Sequence, residues 1–484
     1  MMKVHRSFAP LILIFTLLLA ACGSAAPATQ SPATSAPAPA AEAPATEAPT
    51  QAPAQEQPTS APAEQPAEEP TLVPTKAPET STVGSGSTKI VWWHISTVED
   101  QRDNWQNLAN QFVAENPNVS IEITVLENEA FKSKIATAMQ SGSPPDIFQT
   151  WGGGVLKQYA EAGLVQDITP ALQQNGWGDS FHQGPLSMFA FDGKNYGVPW
   201  NAGMIGFWYN KDLFQQAGIE QPPATWDELL EDVNKLKAAG ITPIALGEKD
   251  KWPGHFYWVY LAMRLGGEEA FLRAYSREGG FADQPYLEAA QRLKDLIDLE
   301  PFQTGYLGAG YGDQQVVMGN AKAAMELMGQ WAPGSNRSVA EDLDAYNNSL
   351  GWFPFPAVEG GVGKATDALG GGDGFAIGKN AAPEAIEFVR FLTSVEVQTE
   401  MARNGFALPP TVKGAEAGVD DPLILGLLDN MSKSEYYQLY YDQYLPPALG
   451  QVINDATQEL FAGTRSPEEV VAQIEEAASF ELQP

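Results

Sequence analysis

"KIVWWHISTVEDQRDNWQNLANQFVAENPNVSIEITVL", residues 89–126, changes its hydrophobic period twice. KIVWWHI (89–95) is an apolar run bounded by polar residues, and VSIEITVL (119–126) alternates with period two, so both predict strands. Between them, Trp105, Leu108, Phe112 and Val113 fall on one helical face, and the pattern stops at Pro117. The same alternation continues downstream. PPDIFQTW (144–151) reads as a third strand. TWDELLEDVNKLKAAG (225–240) reads as a helix with Thr225 and Glu228 as its capping box, a stripe of Trp226, Leu229, Leu230, Val233 and Leu236, and Gly240 at its stop. ITPIALG (241–247) predicts another buried strand. SPEEVVAQIEEAASF (466–480) opens a helix with Ser466 as cap, Pro467 in the first turn and Glu469 closing the box. Strands alternating with helices imply α/β architecture with largely parallel sheets.

Upstream of this region the chain has a different character. A basic start, residues 1–6, precedes the apolar run FAPLILIFTLLLA (8–20), which is too short to span a bilayer comfortably and reads as an export signal. It ends in Leu19-Ala20-Ala21-Cys22, which resembles a bacterial lipobox, so Cys22 is the expected lipidation site; a buried free thiol is the alternative. Cys22 is the only cysteine, which excludes a disulfide within the chain. Residues 23–87 are rich in Pro, Ala, Thr, Ser, Gln and Glu and have almost nothing apolar to bury. Such a segment is expected to stay disordered and to act as a tether.

The remaining residues, nearly 400, exceed one ordinary core and suggest two lobes. With 28 Lys and Arg against 60 Asp and Glu, the formal charge is −32. Such a surface repels nucleic acid and anionic headgroups, so neither is an expected partner.

Catalytic and cofactor motifs fail when spelled out. Three histidines lie beyond the leader (His94, His182 and His255), with no HExxH, no closely spaced metal ligands and no G-x-S-x-G. No metal or cofactor is expected, and the chain is read as a non-enzyme. LGGGDGFAIGKN (369–380) invites comparison with phosphate-binding loops. A dinucleotide fingerprint begun at Gly370 or Gly372 would need its last glycine where Phe375 or Ile377 stands. A P-loop ending at Gly378-Lys379 would need Gly in place of Asp373 and Ser or Thr in place of Asn380.

The tryptophans are more informative. Several stand beside glycine or proline, outside helical stripes: VWWHI, QTWGGG, GVPWNAG, KWPGHFYW and MGQWAPG. Trp105 and Trp226 suit a core, but loop tryptophans suit a sugar, whose C–H face packs on flat aromatics while amides and carboxylates take the hydroxyl rim. Trp200 beside Asn201, Trp252 near His255, and Trp151 near Gln149 supply that mixture.

At this point the chain resembles family 1 extracellular solute-binding proteins, the carbohydrate-capturing components of ABC importers. SPPDIFQTWGGGVLKQYAEAGLVQDITP, YNKDLF with its downstream PPATWDEL, KAAMELMGQWAPG, and YYDQYLPPALGQVINDATQELFAGTRSPEEVVAQIEEA are similar to the family's segments in the same order. The last is most similar to receptors for xylobiose-type and raffinose- or melibiose-type oligosaccharides. The resemblance implies a periplasmic-binding-protein type II fold: two α/β lobes, a hinge and an interlobe cleft. It divides the chain into a lipoprotein signal (1–22), the tether (23–87), first-lobe segments 88–198 and 367–412, and second-lobe segments 199–366 and 413–484. The first crossing would fall near 196–200. The implied ligand groups are Trp93, His94, Trp151, Trp200, Asn201, Trp252, Trp331, Asp373 and Asp442. Gly371 and Gly372 are expected to clear space for a sugar ring, so that valine at either would harm binding more than folding. The implied partners are an oligosaccharide, the transmembrane subunits of an ABC permease, and the membrane through the lipid. A surface glycosidase, or a sensing or adhesion protein on the same fold, remains as the alternative.

Overall fold

A computed structural model describes residues 79–483, so the leader, Cys22 and most of the Pro/Ala-rich stretch lie outside the described residues. The first lobe opens with β1 (Glu79–Val83), β2 (Thr88–His94), β3 (Val119–Val125) and β4 (Ile147–Thr150). A hairpin, β5 (Ala190–Phe191) and β6 (Lys194–Asn195), precedes β7 (Gly197–Pro199). The chain then crosses at 200–202 to the second lobe, which holds β8 (Gly203–Met204), β9 (Gly206–Asn210), β10 (Met325–Met328), β11 (Leu350–Phe353) and β12 (Ala368–Gly371). It returns through Gly372 and Asp373 to β13 (Gly374–Ile377) in the first sheet. β14 (Tyr437–Leu439) lies back in the second lobe.

β2 shows why the opening stretch folds as it does. Ile90, Trp92 and His94 are buried on one face under the helix Glu99–Glu115, while Trp93 packs on the other face. A strand covered on both sides must be central, and β2 pairs in parallel with both β3 and β4. The helix buries Trp105, Leu108, Ala109 and Phe112; Val113 is half-buried, and the helix ends before Pro117. The second lobe is built around the helix Trp252–Tyr275, whose residues from Trp252 to Leu265 are all buried and which kinks at Gly267 (φ 62°). Both predicted capping boxes form, at Thr225/Glu228 and Ser466/Glu469.

Four expectations need correction. The sheets are mixed rather than largely parallel. The six-stranded order is β1-β3-β2-β4-β13-β7, with β1, β13 and β7 antiparallel to their neighbours. These strands arrive from outside the helix-linked run, at a chain terminus or at the lobe crossings, so no right-handed crossover fixes their direction. The unstructured stretch gives way earlier than residue 87. ETSTV (79–83) pairs with β3 as an edge strand, with Val83 buried and Glu79 ion-paired to Arg102 at 3.1 Å. ITPIALG makes only isolated bridges at Ile244. Pro243 has no N–H; Ile244 N and Ala245 N then donate to two different segments, Pro301 O and Met325 O, and the following amides turn to side chains, Leu246 to Gln303 and Gly247 to Gln314. Finally, three lobe boundaries move. Pro199 pairs with Gly374 in the first sheet, so the first lobe runs through 199 and the crossing falls at 200–202 rather than 196–200. β12 pairs with β8 and β14, so the second lobe runs through Gly371 rather than 366. Val412 and Ala415 join the first lobe's core, and Lys413 N donates to Ser180 O, so that lobe extends through Gly418.

Candidate functional site

The two crossing segments form a floor. Trp200 N donates to Asp373 O (2.8 Å), Asp373 N donates to Asn201 Oδ1 (2.8 Å), and Asn201 Nδ2 donates to Asp373 Oδ2 (2.9 Å). Gln149 Nε2, from the end of β4, donates to Asp373 Oδ1 at 2.6 Å. Burial pushes the Asp373 carboxyl up to about 6, against the opposing pull of the Asn201, Gln149 and Trp151 donors.

Above this floor lies a cleft of about 260 Å³, walled by both lobes. The first lobe contributes half-buried Trp151, together with Ser96, Gln101, Glu127 and Lys132. Trp200 also reaches the cleft, though most of its ring is held by Trp105 (5.1 Å, edge-on) and Phe375 (6.4 Å, stacked). The second lobe contributes a continuous aromatic wall. Trp252 lies 5.0 Å from Tyr311 and 6.3 Å from Trp331, and Trp331 meets Tyr440 edge-on at 6.4 Å.

Asp442 stands beside that wall with its side chain 9 % exposed. Gln443 Nε2 donates to its Oδ2 at 3.1 Å, and Nε2 of fully buried His255 lies 3.8 Å from Oδ1. His255 Nδ1 sits 2.7 Å from Trp252 O. A carbonyl can only accept, so Nδ1 carries a proton; burial lowers the ring's basicity, with Asp442 and the bond to Trp252 O opposing. At 3.8 Å, Nε2 makes no hydrogen bond to Asp442.

Several buried polar atoms on the cleft lining have no protein partner: the indole nitrogens of Trp200 and Trp252, both amide atoms of Gln330, and the Tyr440 hydroxyl. An unpaired buried group is costly, and a ligand with many hydroxyls would pair them while its apolar face covers the indoles. Among the described residues, no group of three His, Cys, Asp or Glu could hold a metal ion, and no helix is long and apolar enough to cross a membrane.

Of the expected site residues, Trp151, Trp200, Asn201, Trp252, Trp331, Gly372, Asp373 and Asp442 line this cleft together. Trp93, His94 and Gly371 do not. Trp93 points to the opposite face of β2, where the Lys134 ammonium lies 4.4 Å from its ring. His94 is buried against Trp92, its pKa lowered to about 3 by burial. Its Nδ1 accepts from Ser96 N (3.2 Å), so it supports a lining residue from below. The strand's pleat and length explain both misplacements, because the chain reaches the cleft only from Ile95 onward. The glycines also have a different role. A Cβ on Gly371 would lie 2.4 Å from the Tyr440 ring, and one on Gly372 would lie 2.1 Å from Asn201 O. Their bare backbone makes room for protein, not for a ligand. Trp252 is likewise not in a loop, since it begins a helix with Pro253 in the first turn. Gln330 and Tyr440 were missed although each sits within two residues of a tryptophan or acid that was chosen. Ser96, Gln101, Lys132 and Tyr311 carry no signal distinguishing them from ordinary surface residues.

The comparisons with known proteins agree with this geometry. A solved structure from work on xylan utilization by Caldanaerobius polysaccharolyticus superposes with TM-score 0.75 at 30% identity, covering 80% of this chain and 99% of that one. A chitin oligosaccharide binding protein superposes with TM-score 0.74 at 26% identity, covering 82% and 99%. The multiple sugar-binding protein of Streptococcus mutans is 25% identical over 349 residues, 70% of this chain and 79% of its own. The model of the bacterial extracellular solute-binding protein family matches residues 97–399. With the two-lobed fold and the cleft between its lobes, the chain belongs to the bacterial extracellular solute-binding proteins.

Proposed function

We propose that this protein is the lipid-anchored, extracytoplasmic receptor of an ABC importer, which captures an oligosaccharide between its lobes and hands it unchanged to a permease. The observation that carries the reading is the composition of the cleft: indole faces from both lobes set among buried polar groups with no protein partner. Relatives named for sugars and chitin oligosaccharides support the ligand class. Closure of the lobes selects the bound state, because contacts to both walls form together. The affinity expected of such a site is micromolar or tighter, about −8 kcal/mol or below. The engagement of both Asp373 oxygens by Asn201 and Gln149 favours a holding role over glycosidic acid–base work. Cys22, outside the described residues, would carry the lipid.

Tryptophan emission and melting temperature, measured with xylobiose, raffinose, melibiose, maltose, cellobiose and N,N′-diacetylchitobiose, test the proposal. At least one sugar should shift both and be recovered intact after overnight incubation. A panel that moves neither observable would end the sugar-receptor reading, and turnover of the bound sugar would favour a glycosidase.

A further inference from the structure

The charges around the cleft are one-sided. Its lining carries three carboxylates (Glu127, Asp373 and Asp442) and a single cation, Lys132. Lys132 is already matched by Glu129 at 2.9 Å, and Glu127 is turned to the first amides of the helix Asn128–Gln140, which it caps. No arginine lines the cleft. Asp373 has neutral amide donors on both oxygens, which orient its charge without cancelling it. Asp442 is the least compensated. Its Oδ2 takes one neutral amide hydrogen from Gln443, and its Oδ1 has His255 Nε2 at 3.8 Å, beyond hydrogen-bond range.

Resting on the receptor reading above, we propose that the cleft admits uncharged saccharides and rejects those bearing a carboxylate, and that Asp442 sets this discrimination. Two physical reasons converge. A sugar hydroxyl can donate to Asp442 Oδ1, which has no other donor, whereas an ionised carboxylate can only accept. A ligand carboxylate would also enter a partly desolvated space beside like charges, with no free guanidinium or ammonium to pair with it. A buried uronate would need a cation to pair with, and the one cation on the cleft lining, Lys132, is held by Glu129.

The test compares neutral disaccharides with their uronates by calorimetry: maltose with maltobiouronic acid and cellobiose with cellobiouronic acid, each with the uronate methyl ester as a neutral control of similar bulk. Xylobiose is paired with glucuronosyl-xylose and its methyl ester. The acid should bind at least about 100-fold more weakly than its neutral partner, and the ester should recover most of that loss, since like-charge juxtaposition costs several kcal/mol. In Asp442→Asn, which keeps the shape, the gap between acid and neutral sugar should shrink to less than about tenfold. An acid that binds within threefold of its neutral partner, an ester rejected as strongly as the acid, or an unchanged gap in Asp442→Asn would each overturn the inference while leaving a sugar receptor. Failure of every neutral sugar would instead remove the receptor reading itself.

Discussion

Gly372→Ala is expected to unfold the hinge before it reaches any ligand. The added Cβ would lie 2.1 Å from Asn201 O and 3.0 Å from Ala202 Cα, both backbone atoms of the opposite crossing segment. An ordinary carbon–oxygen contact needs about 3.3 Å, so the segments must part by about 1 Å. That movement lengthens the 2.8 Å bonds Trp200 N–Asp373 O and Asp373 N–Asn201 Oδ1 beyond useful range. Overpacking costs roughly 1–3 kcal/mol, and two weakened hydrogen bonds about 1 kcal/mol each, for a total of roughly 3–5 kcal/mol. Urea unfolding followed by far-UV circular dichroism reads this directly. Gly426→Ala provides the control, because Gly426 lies within the helix Pro422–Lys433 with nothing near its missing side chain, and alanine there should be neutral or stabilising by up to about 1 kcal/mol. If Gly372→Ala stays within 0.5 kcal/mol of the parent, the account of these glycines as a backbone contact is wrong.

Other predictions follow from single side chains. Trp331→Ala should weaken sugar binding by at least about 30-fold while leaving the melting curve nearly unchanged, because Trp331 is half-buried and packs on the wall from its cleft side; unaltered affinity in titration would remove it from the site. Glu326, fully buried and accepting from Gln314 (2.7 Å) and Asn336 (2.5 Å), is pushed up to about 7 by burial, with those donors opposing. Its folded pKa lies above its unfolded one, so its favourable contribution is complete below about pH 4.5 and is lost as pH rises through 7. Glu326→Gln should therefore gain stability over the parent between pH 5 and pH 8, by on the order of 3 kcal/mol, with the Asn336 amide turning to accommodate the new donor; parallel stability curves in urea would refute this. Arg264 is fully buried and donates to the carbonyls of Phe355, Pro356, Ala365 and Asp367. Arg264→Met should leave those carbonyls unpaired, costing about 3 kcal/mol, and accelerate amide exchange across 355–367; unchanged exchange would show that the segment is held by other contacts.

The parts that were legible in the sequence are those governed by short-range physics. The period switch at 89–126 fixed the β2–helix–β3 unit, and the capping residues at Thr225 and Ser466 fixed two helix starts, because period and cap chemistry are local. Strand direction was not legible, since β13 and β7 reach the sheet through lobe crossings that no local pattern encodes. The cleft was partly legible. Loop tryptophans marked Trp151 and Trp331, and the family resemblance marked Asp442, while counting along β2 could not reveal that the strand stops short of the cleft. The bare backbone of the glycine run was legible but its purpose was not: the expected sugar ring is replaced by protein, Tyr440 at Gly371 and, at Gly372, Asn201 from the other crossing segment, about 170 positions away.

That separation has a consequence for how receptors of this design can change. Asn201 and Asp373 tie the crossing segments together and also line the cleft, so a mutation that reshapes the floor alters the joint on which the lobes turn. New preferences are therefore more accessible through the walls, at Trp331 and Tyr311, than at Tyr440 or Gln330, which pack against Gly371 and Gly203 beside the joint. The wall has its own economy of parts: Trp252, His255 and Phe256 sit in the first turn or two of one helix, with Phe256 against Tyr440 and His255 beside Asp442. A small rotation of that helix would shift an indole, an acid and a phenol at once, so the ligand range of a lineage could move in a single step without substitution of any residue that touches the ligand.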